Sequence, residues 1–555
     1  MKKFNLTKEP WIRVVDLDGK FQMKSLTEVL SEAHAIRELA GELPTQDLAI
    51  LRLLLGILYP IYTRKDANGN LLDEYSDMLQ VWAELWAKGR FSQEVAQYLG
   101  THAERFWLIH PDLPFWQVPV FNDGDKAVNR DGDNIRPFFR PEEAKGGGVK
   151  YKENGLLKIA GDAMGSNLFG IRRDIPEMTF DEAARWLVYY NNFAVSVAGG
   201  RGNKKDGLKV IGYRQPYTAY LSHVTMRGNN LFETLMLNLV LEDNDAPWRD
   251  TPAWWEIPHP FENDRAGNNI DEIELAKPKG ITEYMSTLYR YLRLVPNDSF
   301  DAVEGVVLWS GVWYTDEMFM SVEKMALWKK LKDGGIVPKG PNTLPPQLWR
   351  DFTALLVTGS DDTVAPGVLT WLNKLAEEGG LTLPRLRLSV DGVMYKTGTA
   401  KEGEYSDVLS VNTTILANLS EFWCSRIPIE LAKTDKKVRA YSYFVKDIRM
   451  SQGKSEVKLD EITPYVESVY RKLDIPFREW LRELSDDLED MEAKCDEWQS
   501  LVDKVLRREA DELVATTGSS AFIGREYKVK NKPVLFNTPI AYNKFISALV
   551  EEGKK

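Results

Sequence analysis

The sequence predicts an α+β protein, with a large mixed α/β N-terminal domain over residues 1–404 and a C-terminal four-helix bundle over 405–555. Three observations predict it. A chain of 555 residues exceeds what one hydrophobic core serves, so two or more domains are expected. Up to about residue 404, runs of strand character alternate with helical ones. From 405 onward helical periodicity dominates. There Leu481, Leu484, Leu488, Met491, Cys495, Trp498, Val502 and Val505 follow steps of three and four, a heptad-like seam with acidic residues on the other faces.

The elements follow in order. Pro10–Val15 reads as a short strand closed by an Asp18-Gly19 turn. Ser25 opens a helix whose apolar positions Val29, Leu30, Ile36 and Leu39 keep helical spacing. Thr45 is the expected N-cap of a buried helix over Leu48–Leu58. A further helix covers Ser76–Lys88 and ends at Gly89. Phe106–Gln117, dense in aromatics and proline with no basic residue between Trp107 and Gln117, predicts a rigid loop packed under a core. Residues 122–155 read as a long polar loop, and its Gly146-Gly147-Gly148-Val149-Lys150 lacks phosphate-loop spacing. Helices are expected over Thr179–Phe193, Leu231–Leu241 and Ile281–Leu294, and strand character over Val306–Tyr314 and Phe352–Val357. Leu381–Val390 alternates apolar and basic residues as a half-exposed strand does, and Asp391–Thr399 follows as a turn. Gly518–Lys532 reads as an inter-helix connection, and Thr538-Pro539 opens a last helix to about Val550.

Composition excludes several classes. Two cysteines, Cys424 and Cys495, and five scattered histidines fit neither a disulfide framework nor a metal centre. No secretory leader follows the N-terminal MKKFNLTKEPW, and the longest apolar stretch, Leu48–Tyr59, is too short to span a bilayer. A cytoplasmic protein is expected. There is no GxSxG, HExxH, complete dinucleotide fingerprint or phosphate loop, and no carboxylate pair stands out from an acidic chain. The net charge of -11 confines any nucleic-acid contact to local basic loops. One stretch fits that description. Asn191–Gly212 runs from an apolar segment into Ala198-Gly199-Gly200-Arg201-Gly202, followed by Asn203, Lys204, Lys205 and Lys209. Glycines leave the backbone bare for close approach, and the basic residues favour an anion.

Several segments together resemble the CasA family, the large subunit of the type I-E CRISPR Cascade complex. They are Glu9-Pro10-Trp11-Ile12, Ser25–Leu30, Leu51-Arg52-Leu53-Leu54-Leu55, His110–Gln117, Gly228–Leu239, Pro252-Ala253-Trp254 and Leu348-Trp349-Arg350-Asp351. Each is weakly specific; the ordered set spans the chain. The resemblance implies a non-catalytic subunit without cofactor. It implies contact with crRNA, double-stranded target DNA, the backbone, crRNA-end and small subunits of Cascade, and a Cas helicase–nuclease, but no membrane. Such subunits recognise the protospacer-adjacent motif (PAM) from the minor groove and help open the duplex.

Carried over by position, the family's glycine loop falls on Ala198–Gly202, with Asn203, Lys204 and Lys205 beside it. Bare backbone suits the narrow minor groove, whose degenerate pattern predicts tolerance of several PAM sequences. The loop at the crRNA end and PAM falls on Asn167–Arg173, with Phe169, Arg172 and Arg173 as contacts. The strand-separating wedge falls on Tyr395–Ala400. Many relatives carry glutamine there; this chain reads Tyr395-Lys396-Thr397-Gly398-Thr399, so Lys396 or Tyr395 would act, by charge or by stacking. Lys324 is the expected lysine on the PAM. The cysteine cluster with which some relatives bind zinc is missing, so no zinc is expected. Two other readings are a structural adaptor of a ribonucleoprotein, whose glycine loop only packs on a neighbour, and a tryptophan-rich carbohydrate-active enzyme.

Overall fold

The computed structural model describes residues 1–73, 76–117, 177–193, 217–241, 251–257, 280–290, 292–308, 322–356, 364–396, 400–486, 489–529 and 532–552, with isolated positions at 127–128, 134–135 and 278. The chain divides into two compact units. One holds Met1–Thr343, Ser360–Thr382 and Arg387–Val408; the other holds Leu344–Gly359, Leu383–Leu386 and Leu409–Lys555. A single cut between residues 404 and 405 therefore does not describe the division. The bundle takes up residues 344–359 from earlier in the chain, and the last crossing falls after Val408.

In the first unit, β1 (Ile12–Asp16) and β2 (Phe21–Lys24) form an antiparallel hairpin, with Gly19 at φ +85° in its turn. Ser25 caps α1 (Leu26–Ser31) in a capping box: the Glu28 N–H donates to Ser25 Oγ, and the Ser25 N–H donates to the Glu28 carboxylate. The expected continuation of this helix through Ile36 and Leu39 is instead β3 (Ile36–Leu39), which pairs with β1. Pairing with a strand already in place overrides the local helical spacing. α2 (Pro44–Tyr62) starts on a proline at its first position, and Thr45 is buried inside the first turn instead of capping it. From Leu48 to Tyr62 every residue of α2 is buried, which makes it the axis of this core. α3 (Met78–Lys88) ends at Gly89 with φ +64°, as the spacing predicts. α4 (Phe180–Phe193) packs on α2.

The 106–117 segment packs as expected. Phe106 and Phe115 stack at 5.0 Å, the buried Trp116 indole donates to the Ser286 carbonyl at 2.8 Å, and Gln117 bridges Leu108 and Leu294. Two helices are shorter than their sequence patterns. α5 covers Leu231–Asn238, and the helix from Ile281 ends at Ser286; Leu292–Pro296 is a strand paired with Ala302–Leu308. β4 (His223–Arg227) pairs antiparallel with β5 (Arg385–Lys396), and β6 (Ala400–Asn412) lies on the other side of β5. β5 extends through Lys396, so most of the expected Asp391–Thr399 turn is strand, and the reversal falls between Lys396 and Ala400. α6 covers Gly367–Glu377.

The second unit is built on four long helices, α7 (Glu421–Ser451), α8 (Leu459–Glu483), α9 (Met491–Ala515) and α10 (Thr538–Glu552). The heptad-like seam is split by a break between α8 and α9. On α9 its Cys495, Trp498 and Val502 are buried, but Met491 and Val505 are only half-buried and Leu506 is buried in place of Val505; Leu488 lies outside the described residues. The Gly518–Lys532 connection holds a short helix, Ser519–Ile523, and the first strand of a hairpin, Arg525–Val529 paired with Lys532–Phe536. Leu348–Leu355 is a 3-10 helix, so the expected strand over Phe352–Val357 is helical through Leu355; Val357 lies outside the described residues. Its Trp349 stacks on Phe477 at 4.6 Å, and its Arg350 pairs with Glu467 and lies 3.7 Å from the Tyr470 ring centre.

Candidate nucleic-acid interface

The buried helix α4 ends at Phe193, and the chain returns to the described core at Tyr217. Two hydroxyls meet the last turn of α4. The Thr218 hydroxyl donates to the Asn192 carbonyl at 2.6 Å. The Tyr395 hydroxyl donates to the Phe193 carbonyl at 2.9 Å. Carbonyls in a last helical turn have no partner within their helix, so these hydroxyls satisfy them. Burial pushes the Tyr395 hydroxyl well above its ordinary pKa, which keeps it a neutral donor.

The end of β5 is held from a second side. Asn342 donates through Nδ2 to the Tyr395 carbonyl at 2.7 Å and accepts from the Tyr395 N–H through Oδ1 at 3.1 Å. An amide side chain thereby replaces a β-ladder partner. Gly392 makes the approach tight: a Cβ there would meet the Pro341 ring at 2.4 Å and the Leu221 carbonyl at 2.9 Å. The Tyr220 and Tyr395 ring centres lie 6.4 Å apart. The described residues on either side of 194–216 therefore lie beside the end of β5 that leads to Ala400.

Tyr395 is thus not a stacking residue at the hairpin tip. Only 8% of it is exposed, and its ring and hydroxyl belong to the core. Lys396 is the last residue of β5. Thr397, Gly398 and Thr399 lie outside the described residues. So do Ala198, Gly199, Gly200, Arg201, Gly202, Asn203, Lys204 and Lys205, and also Asn167, Phe169, Arg172 and Arg173. Sequence reasoning missed Asn342. Gly340-Pro341-Asn342-Thr343 carries a turn signature, but nothing in it foretells the bond to Tyr395.

Lys324 is half-buried, and its stem packs over Gly367 at the start of α6. Its carbonyl accepts the Val368 N–H at 2.8 Å. The neighbouring Glu323 is fully buried. It pairs with Arg52 of α2 at 3.0 Å and accepts from the Tyr284 hydroxyl at 2.5 Å and the Met325 N–H at 2.8 Å. Burial alone would raise the Glu323 carboxyl; Arg52 and these donors hold it below its ordinary value. The backbone carrying Lys324 is therefore fixed from beneath. Among the described residues, no group of three histidine, cysteine or acidic side chains could hold a metal ion. Among the same residues, no helix is long and apolar enough to cross a membrane.

Residues 5–509 match the family model described as CRISPR-associated protein Cse1. The chain belongs to the Cse1 family. A curated relative, the CRISPR-associated protein CasA/Cse1 of Thermus thermophilus, is 28% identical over 266 residues, 46% of this chain and 43% of the relative. The chain thus aligns with less than half the length of that relative. The crystal structure of Thermobifida fusca Cse1 is similar over 99% of this chain and 98% of its own, at 26% identity and a TM-score of 0.77. A chain from a structure described as a CRISPR RNA-guided surveillance complex shares the fold, with a TM-score of 0.67 at 17% identity over 100% of both chains.

Proposed function

We propose that this Cse1-family chain is the non-catalytic large subunit of a crRNA-guided surveillance complex of the Cascade type. In this reading it recognises the PAM in double-stranded DNA, opens the duplex beside it and recruits the Cas helicase–nuclease. Its partners are crRNA, target DNA and the backbone, crRNA-end and small subunits. The observation that supports the reading is that Asn192 and Phe193, just before residue 194, are bonded to Thr218 and to Tyr395 near the end of β5. A groove-reading segment and a strand-separating tip must act on adjacent base pairs, and the residues that precede them, Phe193 and Tyr395, are bonded to each other.

The roles divide by chemistry. Gly199, Gly200 and Gly202 offer bare backbone to the minor groove, while Arg201, Asn203, Lys204 and Lys205 meet phosphates. Asn167, Phe169, Arg172 and Arg173 meet the crRNA end and the PAM, and Lys324 adds a positive charge. Lys396 and Thr397–Thr399 form the wedge, with Tyr395 as its anchor. Guide pairing reads the remaining target sequence, by analogy with other RNA-guided systems. Lys396→Ala combined with Thr397→Ala tests the division in the assembled complex. PAM-dependent binding should persist while R-loop formation slows about tenfold or more, which corresponds to at least about 1.4 kcal/mol of barrier. R-loop formation at the unaltered rate would refute the wedge.

A further inference from the structure

The first unit buries a polar sheet face. His223, Thr225 and Arg227 alternate along β4, and their ladder partners on β5 are Asp391, Ser389 and Arg387. Side chains two apart on a strand, and those directly paired across it, share a face. α2 and β3 close over this one and leave a cavity of about 50 Å³, lined by Glu38, Asp47, Thr225, Arg227 and Asp391 among others. Burying polar groups is costly unless each finds a partner. The Thr225 hydroxyl does not: the residue is 4% exposed, and its Oγ1 meets no hydrogen-bond partner among the described residues. The charges are unevenly matched as well. Arg227 faces three carboxylates, lies 3.8 Å from Glu38 and 3.6 Å from Asp391, beyond hydrogen-bond reach, and donates its Nε–H to the Ser389 hydroxyl at 3.1 Å. Asp47 accepts the Gly41 N–H at 2.7 Å, and Asp391 accepts the Ser406 hydroxyl at 2.6 Å.

We propose that this cavity binds a primary ammonium group carried on an alkyl stem. An ammonium is a compact positive charge with three N–H donors. The Thr225 hydroxyl and the carboxylates of Asp47 and Asp391 offer three acceptors, and Glu38 adds negative charge. Leu39, Pro44, Leu48, Leu51 and Leu231 give the stem an apolar wall. Cavities that take up benzene measure about 150 Å³, so this one admits a headgroup and excludes a nucleobase. A metal ion is a poorer fit. Among the described residues no three acidic, histidine or cysteine side chains gather to hold one, whereas ammonium acceptors sit about 2.7–3.2 Å away and need converge less. Arg37 and Arg387 stand exposed at the mouth; they donate to the Leu17 and Gly228 carbonyls, and salt screens their repulsion. Burial raises the Asp47 carboxyl to about 7 and also raises Asp391. Arg227 opposes both shifts, while Asp391 and Glu38 add to the first and Glu404 of β6 adds to the second. A bound ammonium relieves that repulsion by favouring the ionised carboxylates, so affinity should climb as pH rises through about 7.

Titration calorimetry of the full chain with n-butylammonium chloride tests this, beside tetramethylammonium chloride, which has the same charge and no N–H donor. n-Butylammonium should bind at least about tenfold more tightly at pH 8 than at pH 5, where Asp47 holds its proton. Tetramethylammonium should neither bind nor compete. Thr225→Val keeps the side-chain shape and removes the acceptor, so it should weaken binding at pH 8 about tenfold. Asp47→Asn should weaken binding at pH 8 and flatten the pH dependence, and the two variants together guard against a folding defect peculiar to one. Equal binding of both cations, or affinity unaltered by either substitution, would overturn the site, as would no binding at pH 8. Two sources carry this chemistry, a lysine side chain of a neighbouring subunit and a free polyamine. In the assembled complex a seated lysine would exclude n-butylammonium and make assembly sensitive to Asp47→Asn. A free polyamine would leave the site open, with spermidine competing for it.

Discussion

At the scale of residues, the first unit uses buried polar groups as fixed points. Asp47, in the first turn of α2, faces a cavity of about 50 Å³ lined by Glu38, Thr225, Arg227, Arg387 and Asp391. Burial pushes its carboxyl up to about 7; the Gly41 N–H and Arg227 oppose the rise, and Asp391 and Glu38 add to it. Because the folded-state pKa lies above the unfolded value, the folded state holds the extra proton between about pH 4 and pH 7. Stability should therefore fall as pH rises through that window and level off above it. Asp47→Asn keeps an oxygen for the Gly41 N–H and cannot ionise. Its thermal midpoint should match the wild type near pH 4.5, exceed it at pH 8, and show a shallower decline between. A slope identical to the wild type would show that Asp47 does not titrate in this range. Tyr395 teaches a related lesson. In sequence it is one aromatic in a polar turn, and only the carbonyl of Phe193, distant in the chain, shows that it is an anchor.

At the scale of elements, local signals were legible wherever the chain decides its own conformation. The Ser25 cap, the Asp18-Gly19 turn, the Gly89 stop and the largely apolar, buried α2 could be read because capping, left-handed turns and burial depend on neighbours in sequence. The misread segments are those that a distant partner decides. Ile36–Leu39 becomes a strand because β1 offers an edge, and Asp391–Lys396 stays extended because it prolongs β5. Phe352–Leu355, expected as strand, continues the 3-10 helix whose Trp349 meets Phe477 and Trp498. Trp349→Ala should cost about 3–5 kcal/mol, the usual loss for deleting a fully buried aromatic. It should also make 344–359 the first site cut in limited proteolysis. Protection of that segment equal to the wild type would mean that Trp349 does not hold it to the bundle.

At the scale of the whole molecule, two compact units share one chain that crosses between them more than once. The family and the α+β class could be read from ordered motifs spread along the chain, because such motifs survive where any single one is ambiguous. The site was legible in part. Glycines beside lysines read as suited to an anion, but no spacing rule says that Phe193, just before them, bonds to Tyr395 some 200 residues later. The claim that ties these scales together is that bare backbone at Gly199, Gly200 and Gly202 reads the groove next to the hairpin. Its most direct measurement is the binding of matched duplexes with and without a PAM to the assembled complex, comparing the wild type with a variant carrying valine at all three glycines. Valine side chains would keep the backbone from the groove floor, so affinity for the PAM duplex should fall to that for the PAM-less one. Retention of the wild-type preference by the triple variant would contradict the claim.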